Sequence, residues 1–224
     1  MRNIKKILKE DDLGDMGIGA MIVFIAMVLV AGIAASVLIQ TANKLEIQAM
    51  VTGQETTREV STGLAVVDIE GQVNSSGIVS DMTITVRARA GSGDIDLSQT
   101  VIEVTDGTTK TLLTYTPAAN KFSLISAGTG EIFDAALWTA GGSNLTNEQF
   151  GILVLQDEDN SLTQTNPVIN RGDLVMLCIS TGSCFNGLDP RDDIWGLVSP
   201  EQGAPGIFAF RVPSSLTEEV YDLY

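Results

Sequence analysis

Between Met16 and Ile39 the chain reads MGIGAMIVFIAMVLVAGIAASVLI and carries no charged residue. A helix needs roughly 20 apolar residues to cross the hydrocarbon core of a bilayer, and this run supplies them. The run is apolar on every side, so it cannot lie half-wet against a globular domain. Arg2, Lys5, Lys6 and Lys9 precede it, and the chain after it is acidic. That asymmetry places the N-terminus in the cytoplasm and the remainder outside. An ordinary secretory signal has a shorter apolar region that ends at a small-residue cleavage site. Ala34-Ala35-Ser36 offers such a site, but the apolar pattern continues past it through Val37, Leu38 and Ile39. From the residues alone, an uncleaved membrane anchor and a retained assembly helix both fit.

The composition narrows the chemistry. Net charge is −15, so the surface repels phosphate and argues against nucleic-acid binding. There is no histidine, which removes the commonest general base and the commonest neutral metal ligand. No Gly-rich phosphate loop and no G-x-S-x-G elbow is present. The sequence therefore predicts neither an enzyme nor a bound cofactor. The helix is expected from about Gly17 to Met50 or Val51, with Gly53 as its stop, because glycine tolerates the left-handed cap conformation. From Gln40 to Arg58 the pattern becomes amphipathic, as a helix leaving apolar surroundings would.

From about residue 57 the chain reads as β. Met82 to Ala90 alternates with period two, its Met, Ile, Val and Ala facing a core and its Thr and Arg facing solvent or a neighbour. Val101 to Val104 and Thr111 to Tyr115 flank Asp106-Gly107, which reads as a hairpin turn. Further strands are expected at Leu64 to Ile69, Phe122 to Ile125, Gly151 to Leu155, Leu174 to Ile179 and Ile207 to Val212. Seven or more short strands predict an immunoglobulin-like β-sandwich. The expected class is thus α+β: a long N-terminal hydrophobic α-helix followed by that sandwich.

Several smaller features fall in the expected outer domain. Cys178 and Cys184 are close enough in sequence for a small disulfide loop in an extracellular setting, or are two free buried thiols. Asn74-Ser75-Ser76 and Asn144-Leu145-Thr146 are N-glycosylation sequons in turn-like surroundings. Asp157-Glu158-Asp159-Asn160 and Asp189 to Asp193 are acidic loops, with Asp157 and Asp159 the weak candidates for a hard cation. Neither has the spaced order of an EF-hand, and a solvated loop explains both. Arg171-Gly172-Asp173 reads as a turn leading into a strand.

The stretch GIGAMIVFIAMVLVAGIAASVLIQTA (Gly17 to Ala42) resembles the N-terminus of the archaellins, the type IV pilin-like subunits of the archaeal flagellum. So does TGQETTREVSTGL (Thr52 to Leu64), and more weakly RGDLVMLCIS and VPSSLTEEV. The resemblance is dense over about the first 65 residues. It implies that a prepilin-type leader peptidase cuts between Gly14 and Asp15, giving a leader 1–14, a helix 15–56 and an extracellular domain 57–224. Losing four basic and three acidic residues takes the net charge from −15 to −16. The leader departs from the family in having Asp11-Asp12-Leu13 where a basic residue usually precedes the glycine. Bacterial type IV pilins carry glutamate at the fifth mature position, which here is Gly19.

The resemblance further implies polymerisation through Gly17, Ile18, Gly19, Ile22, Val23, Phe24, Ile25, Met27, Val28, Leu29, Val30, Ile33, Val37 and Leu38. Its implied partners are further copies of the chain or paralogues, the membrane before assembly, and the archaellum membrane platform and motor, which holds the ATPase. The implied location is an extracellular filament, with the precursor in the cytoplasmic membrane, and glycosylation of the sequons is in keeping. An adhesive pilin using the same export route and a monomeric membrane-anchored binding domain are the alternatives.

Overall fold

In a computed structural model of the chain, residues 2–125, 132–134, 138 and 145–224 are described, with side chains in the first helix from Met16 onward. The chain divides into two compact units, Met1–Glu55 and Thr56–Tyr224. The first consists of most of helix α1, Arg2–Ser61. None of the six prolines falls in it, since the earliest is Pro117. Gly17, Gly19, Gly32 and Gly53 are carried within it at a cost of about 1 kcal/mol each relative to alanine. Gly53 does not stop the helix, contrary to the expectation from sequence. The break comes ten residues later at Gly63, for a tertiary reason. Gly63 pairs with Ala204, and a Cβ on it would meet the Ala204 carbonyl oxygen at 2.6 Å. The Ser92 hydroxyl accepts from the Gly63 N–H at 3.0 Å, which holds the backbone in this non-helical course.

The second unit is a β domain. Its strands are β1 (Leu64–Val73), β2 (Val79–Ala88), β3 (Ile95–Asp96), β4 (Val101–Thr105), β5 (Lys110–Tyr115), β6 (Phe122–Leu124) and β7 (Gln149–Gln156). There follow β8 (Val168–Ile169), β9 (Leu174–Ile179), the short helix α2 (Thr181–Phe185), β10 (Asp193–Ser199), β11 (Gly206–Arg211) and β12 (Val220–Asp222). The main sheet runs β11-β10-β4-β5-β7-β9-β2-β1-β12, with β6 beside β7 and β3-β8 forming a separate pair. The sheet curls, so that its β4-β5-β10-β11 half faces its β1-β2-β7-β9 half across one core, as a β-sandwich.

In β2 the alternation holds in part: Met82, Ile84 and Val86 are fully buried in that core, but Thr83 and Thr85 are buried as well, Ala88 is half-buried and Ala90 lies exposed beyond the strand. Met82, Ile84 and Val86 meet Ile152, Val175, Leu177 and Ile179 from β7 and β9, and Ile102, Leu113, Ile194 and Phe208 from the opposing half. β7 and β9 are apolar on both faces. Leu153, Met176 and Cys178 point away from the main core into a second cluster with Leu145, beside Ile125, Ile132 and Trp138. A strand covered on both sides reads as a continuous apolar run, which is how QFGILVLQ and LVMLCI appear.

The hairpin turn is built by one side chain. Asp106 Oδ1 accepts from the backbone N–H groups of Thr108 and Thr109 at 2.8 and 2.6 Å, and from both threonine hydroxyls. Gly107 takes φ +87°, where a Cβ would be strained. β10 is not among the strands expected from the sequence, and the acidic stretch Asp189 to Asp193, expected as a loop, leads into it and gives it Asp193. β10 is an inner strand, paired with both β4 and β11.

Candidate assembly helix and surface sites

Every residue from Met16 to Val60 is exposed, and this stretch is long and apolar enough to cross a membrane. Fifteen large apolar side chains between Met16 and Ile39 are each 52–69% exposed, among them Ile18, Ile22, Val23, Phe24, Ile25, Met27, Val28, Leu29, Val30, Ile33, Val37 and Leu38. Fully burying such a side chain is worth about 1.5–3 kcal/mol. Scaled by the exposed fraction, water contact along this face costs on the order of 15–30 kcal/mol. That exceeds the roughly 5–15 kcal/mol net stability of a domain, so water is not the solvent of this helix. Gly17, Gly19 and Gly32 leave open notches, since a Cβ at each would meet nothing within 4 Å. Notches of this kind let two helix backbones approach closely. Gly14 and Asp15 lie within α1.

On the β domain, Asn74 sits in the turn between β1 and β2. Its Oδ1 accepts from the N–H groups of Ser76 and Ile78, which shapes the turn and leaves the amide nitrogen without a partner among the described residues. Asn144 lies outside the described residues. Cys178 and Cys184 are both free thiols, so the structure does not form the disulfide loop that their spacing permits. The reason is that Cys178 points into the second cluster while Cys184 packs against the main core from α2. Burial pushes the Cys184 thiol up to about 11. Burial, with the Asp81 carboxylate beside it, pushes Cys178 higher still. Neither has the depressed value of a reactive thiol.

The first acidic loop gains a member that sequence reading assigned to a turn. Asp157, Asp159 and Asp173 each bring a carboxylate oxygen within 4.8 Å of the others. Asp173 is buried and accepts from the N–H groups of Glu158 at 3.2 Å and Asn170 at 2.9 Å. Asp157 accepts from the N–H groups of Ser161 and Leu162. Asp159 accepts from the Ser161 N–H and the Asn170 side-chain amide, and the Ser161 side chain, followed by these two donors, holds it below the usual carboxylate range. The three carboxylates thus tie the 157–162 loop to the start of β9, in an oxygen cage of the type that suits a hard cation. Nothing local in the sequence marks Asp173 as a member of this cluster, since its donors, the Glu158 and Asn170 N–H groups, are brought to it by the fold. In the second acidic loop Asp193 pairs with Arg211 at 2.8 Å.

Residues 14–210 match the archaeal-type flagellin family. The chain belongs to that family. It is 42% identical to flagellin B2 of Methanocaldococcus jannaschii over 212 residues, which cover 94% of each chain. It is 40% identical to flagellin B1 of Methanococcus voltae over 227 residues, 99% of each. The crystal structure of archaeal flagellin FlaB1 from Methanocaldococcus jannaschii superposes with a TM-score of 0.62 at 27% identity, covering 72% of this chain and 96% of that one. The fold is also shared with the archaeal flagellum of Methanospirillum hungatei, with a TM-score of 0.61 at 16% identity over 92% and 98% of the two chains. This flagellin is therefore a structural subunit of the archaeal flagellum, an extracellular filament built from copies of itself, and not an enzyme.

Proposed function

We propose that this flagellin assembles by moving its N-terminal helix from lipid into the core of the filament. In this reading the chain is cut between Gly14 and Asp15 by a prepilin-type leader peptidase. Residues 15–56 form the helix, and residues 57–224 remain outside as the sheath. The precursor waits in the cytoplasmic membrane, and the membrane platform and motor of the flagellum draw it out and turn the polymer. The observation that carries the reading is the uncharged helical face from Met16 to Ile39, exposed around its whole circumference. At 1.5 Å per residue this stretch is about 36 Å long, enough for the ~30 Å hydrocarbon core.

Lipid and a bundle of sister helices are both apolar, so transfer between them releases little hydrophobic free energy. The exchange is near balance, and packing decides it. A head-to-tail contact that does not close on itself produces an open helical polymer. Asn74, half-buried but with its amide nitrogen unpartnered among the described residues, beside the exposed Ser75 and Ser76, is the sequon we assign to glycosylation.

Mass spectrometry of sheared filaments tests the reading. The expected mature N-terminus is Asp15, with Asn74 carrying added glycan mass. Filaments whose subunits begin at Met1 would remove the cleavage step. Recovery of the chain only as detergent-solubilised monomers would remove the assembly role of the helix.

A further inference from the structure

An open cleft of about 600 Å³ lies at the end of the β domain where β1 begins, bordered by Ala65, Ala88, Ala90 and Leu174. Strand register explains its floor: Ala65 pairs with Arg87, and Leu174 pairs with Gln156 across the same end of the sheet. Small residues on β1 and β2 leave the space open. Its walls carry Arg87, Arg89 and Arg171. From residue 56 onward the chain has 22 acidic and only eight basic residues, so three of those eight positive charges share one cleft.

These arginines are not neutralised from within. Among the described residues, the Arg87 and Arg171 side chains hold no hydrogen bond or ion pair, whereas Lys110 and Arg211 are paired with Glu103 and Asp193. Arg89 donates only to the backbone carbonyls of Leu64 and Pro205. Asp173, the one carboxylate lining the cleft, is buried and has already accepted from two backbone N–H groups. Planar guanidinium groups around an open floor suit carboxylates, which they bind in two-pronged fashion.

We propose that this cleft docks carboxylates from the outer domain of a neighbouring copy of the chain in the filament. The proposal rests on the assembly reading above. Subunits of net charge −16 after loss of the leader repel one another, and every neighbour brings an excess of carboxylates to the same surface. A cationic cleft turns one of those contacts into an attraction and fixes its register.

The test uses full-length chains assembled into filaments in cells lacking other flagellins. The R87K/R171K variant keeps the charges and makes them reactive to a zero-length carbodiimide. In filaments mixed from isotopically light and heavy subunits, amide cross-links between light and heavy peptides are expected at position 87 or 171. The R87E/R171E variant, with an unchanged circular dichroism spectrum, is expected to give at least tenfold fewer filaments at low salt. At about 1 M salt, where the screening length falls to ~3 Å, it should recover part of that loss. Cross-links confined to one copy, or filament yield unchanged by R87E/R171E, would overturn the proposal. Loss of filaments from the unaltered chain would instead count against the assembly reading.

Discussion

Gly196 sits in the middle of β10, opposite Val104 of β4 and Phe208 of β11. Replacing it by alanine tests whether the sandwich core is as tight as the packing implies. A Cβ there would fall 2.6 Å from both Cε1 and Cε2 of Phe208 and closer still to Cζ. Carbon atoms prefer about 3.5–4.0 Å, so the ring would have to retreat by roughly 1 Å or more. It has little room to do so. Phe208 is 2% exposed and stacks on Phe210 with ring centroids 6.4 Å apart. The strand cannot yield either, being bonded on both edges. Overpacking of this kind costs about 1–3 kcal/mol, and confinement from both sides puts Gly196→Ala at the upper end. For a domain of 150–250 residues that is a fall in Tm of roughly 6–12 °C. The assay is thermal and guanidinium unfolding of a soluble chain beginning at Thr56, which contains the whole core. Phe208→Leu alone should cost about 1–2 kcal/mol, and adding Gly196→Ala to it should cost under ~1 kcal/mol more, because the opposing ring is gone. If the two changes instead add to within about 0.5 kcal/mol, the ring is not what excludes a side chain at 196 and the reasoning fails.

Three further outcomes are expected. Ile25→Lys places a charge mid-helix at a cost of about 2.5–3.5 kcal/mol in lipid, so the precursor should still insert weakly, but electron microscopy should find no filaments. Asp106→Ala should destabilise the β domain by about 1–2 kcal/mol, read as a lowered denaturation midpoint, by stripping the acceptor from two N–H groups and two hydroxyls of the hairpin turn. Slight burial pushes the Asp106 carboxyl up, but the Thr109 and Thr108 donors outweigh it and hold it below its ordinary value. Its stabilising contribution is therefore full above the unfolded aspartate range and is lost as pH falls through the depressed folded value, so wild type and Asp106→Ala should converge in acid. Intact-mass measurement without reductant should show two thiols alkylated after unfolding and none added by prior reduction; one alkylated thiol fewer, or none, would contradict the free cysteines.

Where local chemistry decides structure, the sequence was readable. Leu174 to Ile179 is a strand over the span its apolar run delimits. Asp106-Gly107 is a turn because an aspartate acceptor and a glycine at positive φ suffice to make one. Where a distant partner decides, it was not. Gly53 and Gly63 look alike as helix stops, and the difference between them is Ala204, far along the chain. β10 contains Gly196, which weakens the strand signal, yet the glycine is there because Phe208 occupies the space. Cys178 and Cys184 are six residues apart, and nothing local says that a strand and a helix aim them at different clusters. Asp173 belongs with Asp157 and Asp159 only once β9 is laid beside the 157–162 loop. The three arginines of the cleft come from β2, the segment after it, and the turn before β9, and only strand pairing unites them.

The two units of the chain answer to different solvents, and that division shapes how assembly is controlled. The β domain closes its own core and, with 22 acidic residues from position 56 onward, favours water. The helix has no core of its own and must be covered by lipid or by its siblings. In the assembly proposed above, those two coverings are nearly equivalent for an apolar surface, so the helix sets where the subunit can reside but contributes little to the choice between membrane and filament. That choice passes to contacts of the outer domains, where like charges oppose association at low salt and a few placed cations can reverse the sign locally. A small change in those contacts should then move the balance between stored and assembled subunits far more than an equal change in helix hydrophobicity. Exchanging Leu29 for Ile should leave filament yield nearly unchanged, while reversing the charges at Arg87 and Arg171 should not.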